Sequence, residues 1–236
     1  MGRHNVARIQ AGAPQMKALA GMVPYNVVLP APHHAHRAST GFLQIESSPA
    51  STEFAPLFNA AGLATKLVHD MRAVQWGKLL LNLNNPVNAL SNLPLQAQLR
   101  DRDYRFVLAG LQSEALHVLA AAHITPAKVA AVSPRVLPHL LRLPNWLFTR
   151  VAARMLRMDA TARSSMWDDL NQGRTTEIDD LCGAVVRLAQ AHGASAPFNQ
   201  RMVQLLTERT QSGAAPGSMP SQSGGSGRAM RQAIFE

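Results

Sequence analysis

Trp76-Gly77-Lys78-Leu79-Leu80-Leu81-Asn82-Leu83-Asn84-Asn85-Pro86 sits inside a stretch, 71–90, whose polar residues are chiefly one lysine and a set of asparagines. Its length and its lack of strand-like alternation predict one long apolar helix. Residues four apart on a helix project from one face. Lys78 and Asn82 therefore share a face, and Asn85, seven after Lys78, extends it into a polar stripe. A helix this apolar belongs to a helical domain, and everything downstream reads the same way. Helices are expected over 104–122, from Pro126, over 137–158 with breaks at Pro138 and Pro144, and over 164–171. In 176–192, Ile178, Leu181, Val185, Leu188 and Ala189 fall at helical spacing, with Thr176 as N-cap and Gly193 at C′. A last helix runs over 197–210.

Upstream, the pattern is mixed. A short helix is expected over 6–19, strands over 22–29 and 41–46, a helix over 51–61 closed by Gly62, and a short strand at Leu67-Val68. That is too little for a doubly wound sheet of five or six strands. The Ser/Gly/Pro-rich composition after 211 predicts a flexible tail. The expected organisation is thus α+β. It comprises a partial α/β Rossmann remnant over 1–70, an all-helical domain over 71–211 and a flexible tail over 212–236.

The chain has 236 residues, 47% of them hydrophobic, enough for a sizeable core. The single cysteine, Cys182, precludes an internal disulfide and fits a reducing cytoplasm; its place on an apolar helix face makes it a core residue. The N-terminus lacks the apolar centre of a signal peptide, and no apolar run reaches the roughly 18 residues needed to span a bilayer. The net charge of +9 would suit nucleic acid, but the basic residues are dispersed and aromatics are only 5%. Solvation by arginine is the better reading, and neither nucleic acid nor membrane is expected as a partner. Between 135 and 163 lie six arginines and one aspartate, read as a solvated face rather than a membrane surface. His33, His34 and His36 cluster between prolines without a fourth ligand, so no metal site is expected.

The polar residues of the helical part each allow two readings. Lys78 must be paired or face a wet cleft, because an unpaired buried charge is costly; it could equally snorkel from the helix edge. The asparagines suit a ligand bearing carbonyl, hydroxyl and carboxylate oxygens, or they serve turns and caps beside Pro86. Asn84, Asn88 and Asn92 are spare candidates in the same run. Ser165 could hold a carboxylate at a helix start, although capping by Ser164 or Ser165 explains it as well. Glu177 stands in a first turn, where the helix dipole favours any carboxylate.

In this order, Lys78 to Asn85, Ser164-Ser165-Met166 and Thr176-Glu177-Ile178-Asp179 resemble the C-terminal half of ketopantoate reductase (2-dehydropantoate 2-reductase). The resemblance covers nearly all of 20–207. It implies a helical domain of the 6-phosphogluconate-dehydrogenase C-terminal type. The implied reaction is NADPH-dependent reduction of 2-dehydropantoate to pantoate, in pantothenate and coenzyme A synthesis. Lys78 matches the general acid that protonates the ketone oxygen as hydride arrives from the nicotinamide. Asn82 and Asn85 match substrate-orienting asparagines, Ser165 a serine that helps bind the carboxylate, and Glu177 a glutamate between substrate and cofactor ribose. The resemblance leaves a homodimer open.

Three departures stand out. The family's Gly-x-Gly-x-x-Gly loop is missing, and Met1-Gly2 falls where a substrate-contacting Asn-Gly pair is expected. Leu95 replaces a further asparagine found in some members. The chain therefore resembles a reductase lacking about its first hundred residues. A fragment that only folds or associates, or a reductase of another 2-oxo acid, are the alternatives.

Overall fold

The computed structural model describes residues 2–25, 27–31, 33–37, 41–153, 155–211 and 227–235. The chain forms two compact units, 1–78 with 126–129, and 79–125 with 130–236.

The first unit begins with α1 (Gly2–Gly12) and holds a three-stranded sheet of order β1 (Gly21–Met22), β4 (Leu43–Glu46), β5 (Thr65–Val68). β1 and β4 are antiparallel, with Gly21 opposite Ile45; β4 and β5 are parallel, with Leu43 opposite Thr65. Parallel neighbours need a crossover, and α2 (Pro49–Ala60) supplies it. Ser48 and Ser51 close its N-terminus reciprocally: the Ser51 N–H donates to Ser48 Oγ at 3.1 Å, and the Ser48 N–H donates to Ser51 Oγ at 2.8 Å. At the far end Gly62 takes φ +78°, as expected of the helix-closing glycine.

The strand expected over 22–29 is two strands in different sheets. Pro24 cannot donate to a ladder, and the chain leaves the first sheet after Met22. It re-enters as β2 (Val27–Ala31), which pairs with β3 (His34–Arg37) in a hairpin whose register shifts between Val28 and Ala31, around Pro30. A small core of Ala20, Met22, Met71 and Val74 packs with Val6, Val68, Ala127 and Val129. Residues 126–129 thus belong here. The helix expected from Pro126 does not form; instead the Ala127 N–H donates to the Ala73 carbonyl at 2.9 Å. That approach requires Gly77, where a Cβ would stand 2.2 Å from the Ala127 carbonyl oxygen.

The helix expected over 71–90 is also two: α3 (Met71–Asn82) and α4 (Asn84–Ser91), broken at Leu83. The cause is Pro86, which has no N–H for the Asn82 carbonyl and crowds it. As third residue of α4 it loses nothing, because the first turn's N–H groups have no intrahelical partner. The second unit continues with α5 (Leu95–Arg100) and the twenty-residue α6 (Arg102–Ala121), which is its hub. α7 (Leu137–Leu141) and α8 (Asn145–Val151) replace the segment expected over 137–158, separated at Pro144. α9 (Ser165–Asn171), α10 (Ile178–Ala191) and α11 (Pro197–Gln211) follow close to expectation, except that Glu177, not Thr176, occupies the cap position of α10. Cys182 is fully buried on α10, which raises its thiol pKa.

Residues 212–226 of the expected flexible tail lie outside the described residues. Residues 227–235 depart from that expectation: they form α12 (Gly227–Phe235) against α6. Met230 and Ile234, one turn apart, are buried, and the Phe235 ring lies over Gly110 and edge-on to Phe198 at 4.6 Å.

Two charged residues on α6, one buried and one partly buried, hold this unit. Arg105 is fully buried and has no carboxylate partner among the described residues. Its guanidinium donates to the carbonyls of Leu99, Arg100, Leu141 and Leu143 and to Asn145 Oδ1, at 2.9–3.0 Å, and lies 4.1 Å from the Phe148 ring centre. It thereby collects the orphan carbonyls at the ends of α5 and α7, where the helix dipoles favour a cation. Glu114 does the reverse, accepting from the N–H groups of Phe198 and Asn199 at the start of α11.

Candidate functional site

Lys78 lies on α3 within the first unit, half-buried. Its Nζ donates to the Val23 carbonyl at 3.2 Å. The ion pairs among the described residues are Arg174–Asp169, Arg201–Glu208 and Arg231–Asp103, so Lys78 has no carboxylate partner there. Burial lowers its pKa from the usual lysine value. A carbonyl-held ammonium with a depressed pKa is suited to giving up a proton. Asn82 follows one turn later on the same helix.

The break at Leu83 places Asn85 not on α3 but in the first turn of α4. The second unit then separates the asparagines by their bonds. Asn88 is fully buried: Nδ2 donates to the Leu93 carbonyl at 2.9 Å and to Gln98 Oε1 at 3.2 Å, while Oδ1 accepts from the Ser164 N–H at 2.8 Å. Asn84 Oδ1 accepts from Gln98 Nε2 at 2.8 Å. Asn92 ends α4 in the left-handed region at φ +53°, and its Oδ1 accepts from the Trp167 indole N–H at 2.7 Å. The Arg163 guanidinium stacks 4.2 Å from that indole and donates to the Asn92 carbonyl at 2.7 Å. The spare candidates Asn84, Asn88 and Asn92 are thus committed to holding α4, α5 and α9 together. The Asn85 amide makes no such bond among the described residues.

Ser164 settles the capping question at α9. It is buried; its Oγ accepts from the Trp167 N–H and donates to the Asn85 carbonyl, both at 3.2 Å. Ser165 is exposed, and its hydroxyl is not used by the cap. Asn85 and Ser165 therefore stand at the junction of α4 with α9. Glu177 is exposed at the start of α10, with no side-chain capping bond. Its pKa is raised, first by partial withdrawal from water and then by the neighbouring Asp180 charge. No hydrogen bond joins it to Asn85 or Ser165 among the described residues. The sequence held a signal for the Asn88–Ser164 bond only in residue type; nothing in the spacing links positions 76 residues apart.

For a nicotinamide cofactor, Glu177, exposed at the start of α10, is the ribose contact expected among the described residues. They contain no glycine-rich turn between a strand and a helix that could seat a pyrophosphate. These side chains alone do not fit the whole cofactor. No group of three His, Cys, Asp or Glu side chains converges as a metal site among the described residues. None of their helices is long and apolar enough to cross a membrane.

A family model described as ketopantoate reductase PanE/ApbA, C terminal, matches residues 70–210. The chain belongs to the ketopantoate reductase family. It is 28% identical over 189 residues to the 2-dehydropantoate 2-reductase of Caulobacter vibrioides, covering 78% of this chain and 59% of the relative. It is 26% identical over 211 residues to that of Mycobacterium tuberculosis, covering 85% and 65%. The crystal structure of a PanE/ApbA family ketopantoate reductase from Ralstonia eutropha JMP134 superposes with a TM-score of 0.71 at 25% identity, over 90% of this chain and 65% of that one. D-mandelate dehydrogenase, in its ternary structure with NADH and anilino(oxo)acetate, shares the fold at a TM-score of 0.68 and 18% identity, over 89% and 66%. The chain thus spans about three-fifths of the length of these curated ketopantoate reductases. The small sheet followed by a helical domain is this family's Rossmann remnant and helical part.

Proposed function

We propose that this chain carries the substrate half of an NADPH-dependent 2-dehydropantoate 2-reductase, forming pantoate from ketopantoate on the route to pantothenate and coenzyme A. The observation that carries the reading is Lys78: an ammonium without a carboxylate partner among the described residues, held by one carbonyl, its pKa lowered by burial. In this role Lys78 Nζ gives a proton to the substrate's ketone oxygen and stabilises the developing alkoxide. Asn82 and Asn85 orient the ketone and hydroxyl. The Ser165 hydroxyl receives the carboxylate, and Glu177 contacts the substrate hydroxyl and the cofactor ribose. The uncommitted amide of Asn85 and hydroxyl of Ser165 support these assignments, since their neighbours Asn88 and Ser164 are already spent on the fold.

The test follows NADPH consumption with ketopantoate and a panel of other 2-oxo acids, beside a fluorescence titration with NADPH. Lys78→Ala should lower turnover by about 10²–10⁴-fold, the usual worth of a positioned proton donor, with unchanged helical circular dichroism. Unchanged turnover would sink the assignment. Turnover with another 2-oxo acid in preference to ketopantoate would move the substrate and keep the chemistry.

A further inference from the structure

The second unit also holds a cationic cleft that this reading leaves unused. It opens between the first turns of α6, the end of α7 and α12, with a volume of about 630 Å³. Among the described residues that line it, Arg142, Arg228 and Arg231 face one carboxylate, Asp103; three charges less one leave those residues an excess of two positive charges. Arg231 Nη1 pairs with Asp103 Oδ1 at 2.9 Å. Arg142 spends only Nη2, on Ser113 Oγ at 3.0 Å and the Ala109 carbonyl at 3.4 Å. Arg228, exposed, has no hydrogen bond or ion pair among the described residues, and neither has the Gln232 amide beside it.

An uncompensated cationic concavity attracts a counter-charge, and guanidinium forks match the oxygens of phosphate in bidentate geometry. The excess of two positive charges matches a phosphate dianion better than a monocarboxylate. The Phe106 ring in the cleft is already taken by cations, with Arg231 4.5 Å and Arg102 5.0 Å from its centre. The site therefore reads charge rather than an aromatic base. We propose that this cleft binds a small phosphorylated anion, with Arg228 as its principal free fork and Arg142 and Gln232 as further donors. The volume leaves room for an organic body beyond the phosphate. The site is separate from the reductase reading and uses none of Lys78, Asn82, Asn85, Ser165 or Glu177.

The experiment is calorimetric titration of the full chain with inorganic pyrophosphate, repeated on Arg228→Gln and on Arg72→Gln. Arg228 is exposed and makes no hydrogen bond or ion pair among the described residues, so its substitution removes none. Arg72 is exposed in the first unit and controls for the general field of a chain of charge +9. Saturable one-to-one binding, weakened about tenfold or more by Arg228→Gln and unaffected by Arg72→Gln, is the expected result. Absence of saturable binding overturns the proposal, and so does equal behaviour of the two variants. Turnover of Arg228→Gln with a 2-oxo acid and NADPH, read in parallel, keeps a failure here distinct from a failure of the reductase assignment.

Discussion

Asn85 and Asn88 are neighbours in one asparagine run, yet their bonds assign them opposite roles, and paired alanine substitutions test that division. Asn88→Ala removes three hydrogen bonds and strands the Ser164 N–H, the Leu93 carbonyl and Gln98 Oε1 in or near the core. At about 1 kcal/mol for each bond, with more for a fully buried orphan, the loss is about 3 kcal/mol. For a protein of this size that is a fall in Tm of roughly 6–12 °C. In urea, with a slope of about 1–3 kcal/mol/M, the midpoint should drop by about 1 M or more. Asn85→Ala removes a half-exposed amide that makes no bond among the described residues, and should change stability by no more than about 0.5 kcal/mol. Under the proposed reaction it should instead raise KM or lower kcat. Urea unfolding followed by circular dichroism and by tryptophan fluorescence reads both variants, since Trp167 sits in the same network. If Asn88→Ala costs less than about 1 kcal/mol, or Asn85→Ala costs as much, the division of roles is wrong.

Arg105→Lys keeps the charge but loses the planar fork that reaches five oxygens; it should destabilise by about 3 kcal/mol or more, measured as a urea midpoint shift. Gly77→Ala pushes a methyl into the Ala127 carbonyl, a backbone group with no rotamer to escape into; the unfolding temperature should fall and residues 126–129 should exchange amide hydrogens faster. The depressed pKa of Lys78 has a sign that can be checked. The unfolded chain holds that proton up to the ordinary 10.5 while the folded chain releases it earlier, so folding is penalised at neutral pH. The penalty disappears as pH rises from the folded value towards 10.5. Lys78→Met should therefore match or exceed the parent in stability at pH 7, with the difference shrinking across that alkaline window. If Lys78 is the proton donor, kcat/KM of the parent should decline on an alkaline limb below the usual lysine range.

The helical half was legible because its cues are local. The spacing of Ile178, Leu181 and Val185, the serine before α9 and Gly193 after α10 each act within a turn or two. The break at Leu83 was legible in principle: Pro86 marks it through the missing N–H at the Asn82 carbonyl, but a largely apolar stretch of twenty residues outweighed one proline. The helix at 227–235 was likewise present in the spacing of Met230 and Ile234 and hidden by the Ser/Gly-rich run before it. The fate of residues 126–129 was not legible at all. A proline suits a helix start, and only the close approach to Gly77, some fifty positions upstream, turns that segment into packing for α3. The polar run behaved the same way. Residue type left several candidates open and the family resemblance singled out Lys78, Asn82, Asn85, Ser165 and Glu177, but which asparagines are spent on the fold depends on partners such as Ser164 and Gln98.

Arg105 has one consequence of its own. Where two or three helix ends are fastened by an ion pair, acid loosens them once the carboxylate takes up a proton. The junction of α5, α7 and α8 has no such half: every oxygen that receives the guanidinium is an amide oxygen, which stays unprotonated throughout the range in which proteins are handled, and the guanidinium itself keeps its charge. The clamp itself is a cation whose counter-charge is spread over amide oxygens, so acid finds no carboxylate within those five bonds to protonate.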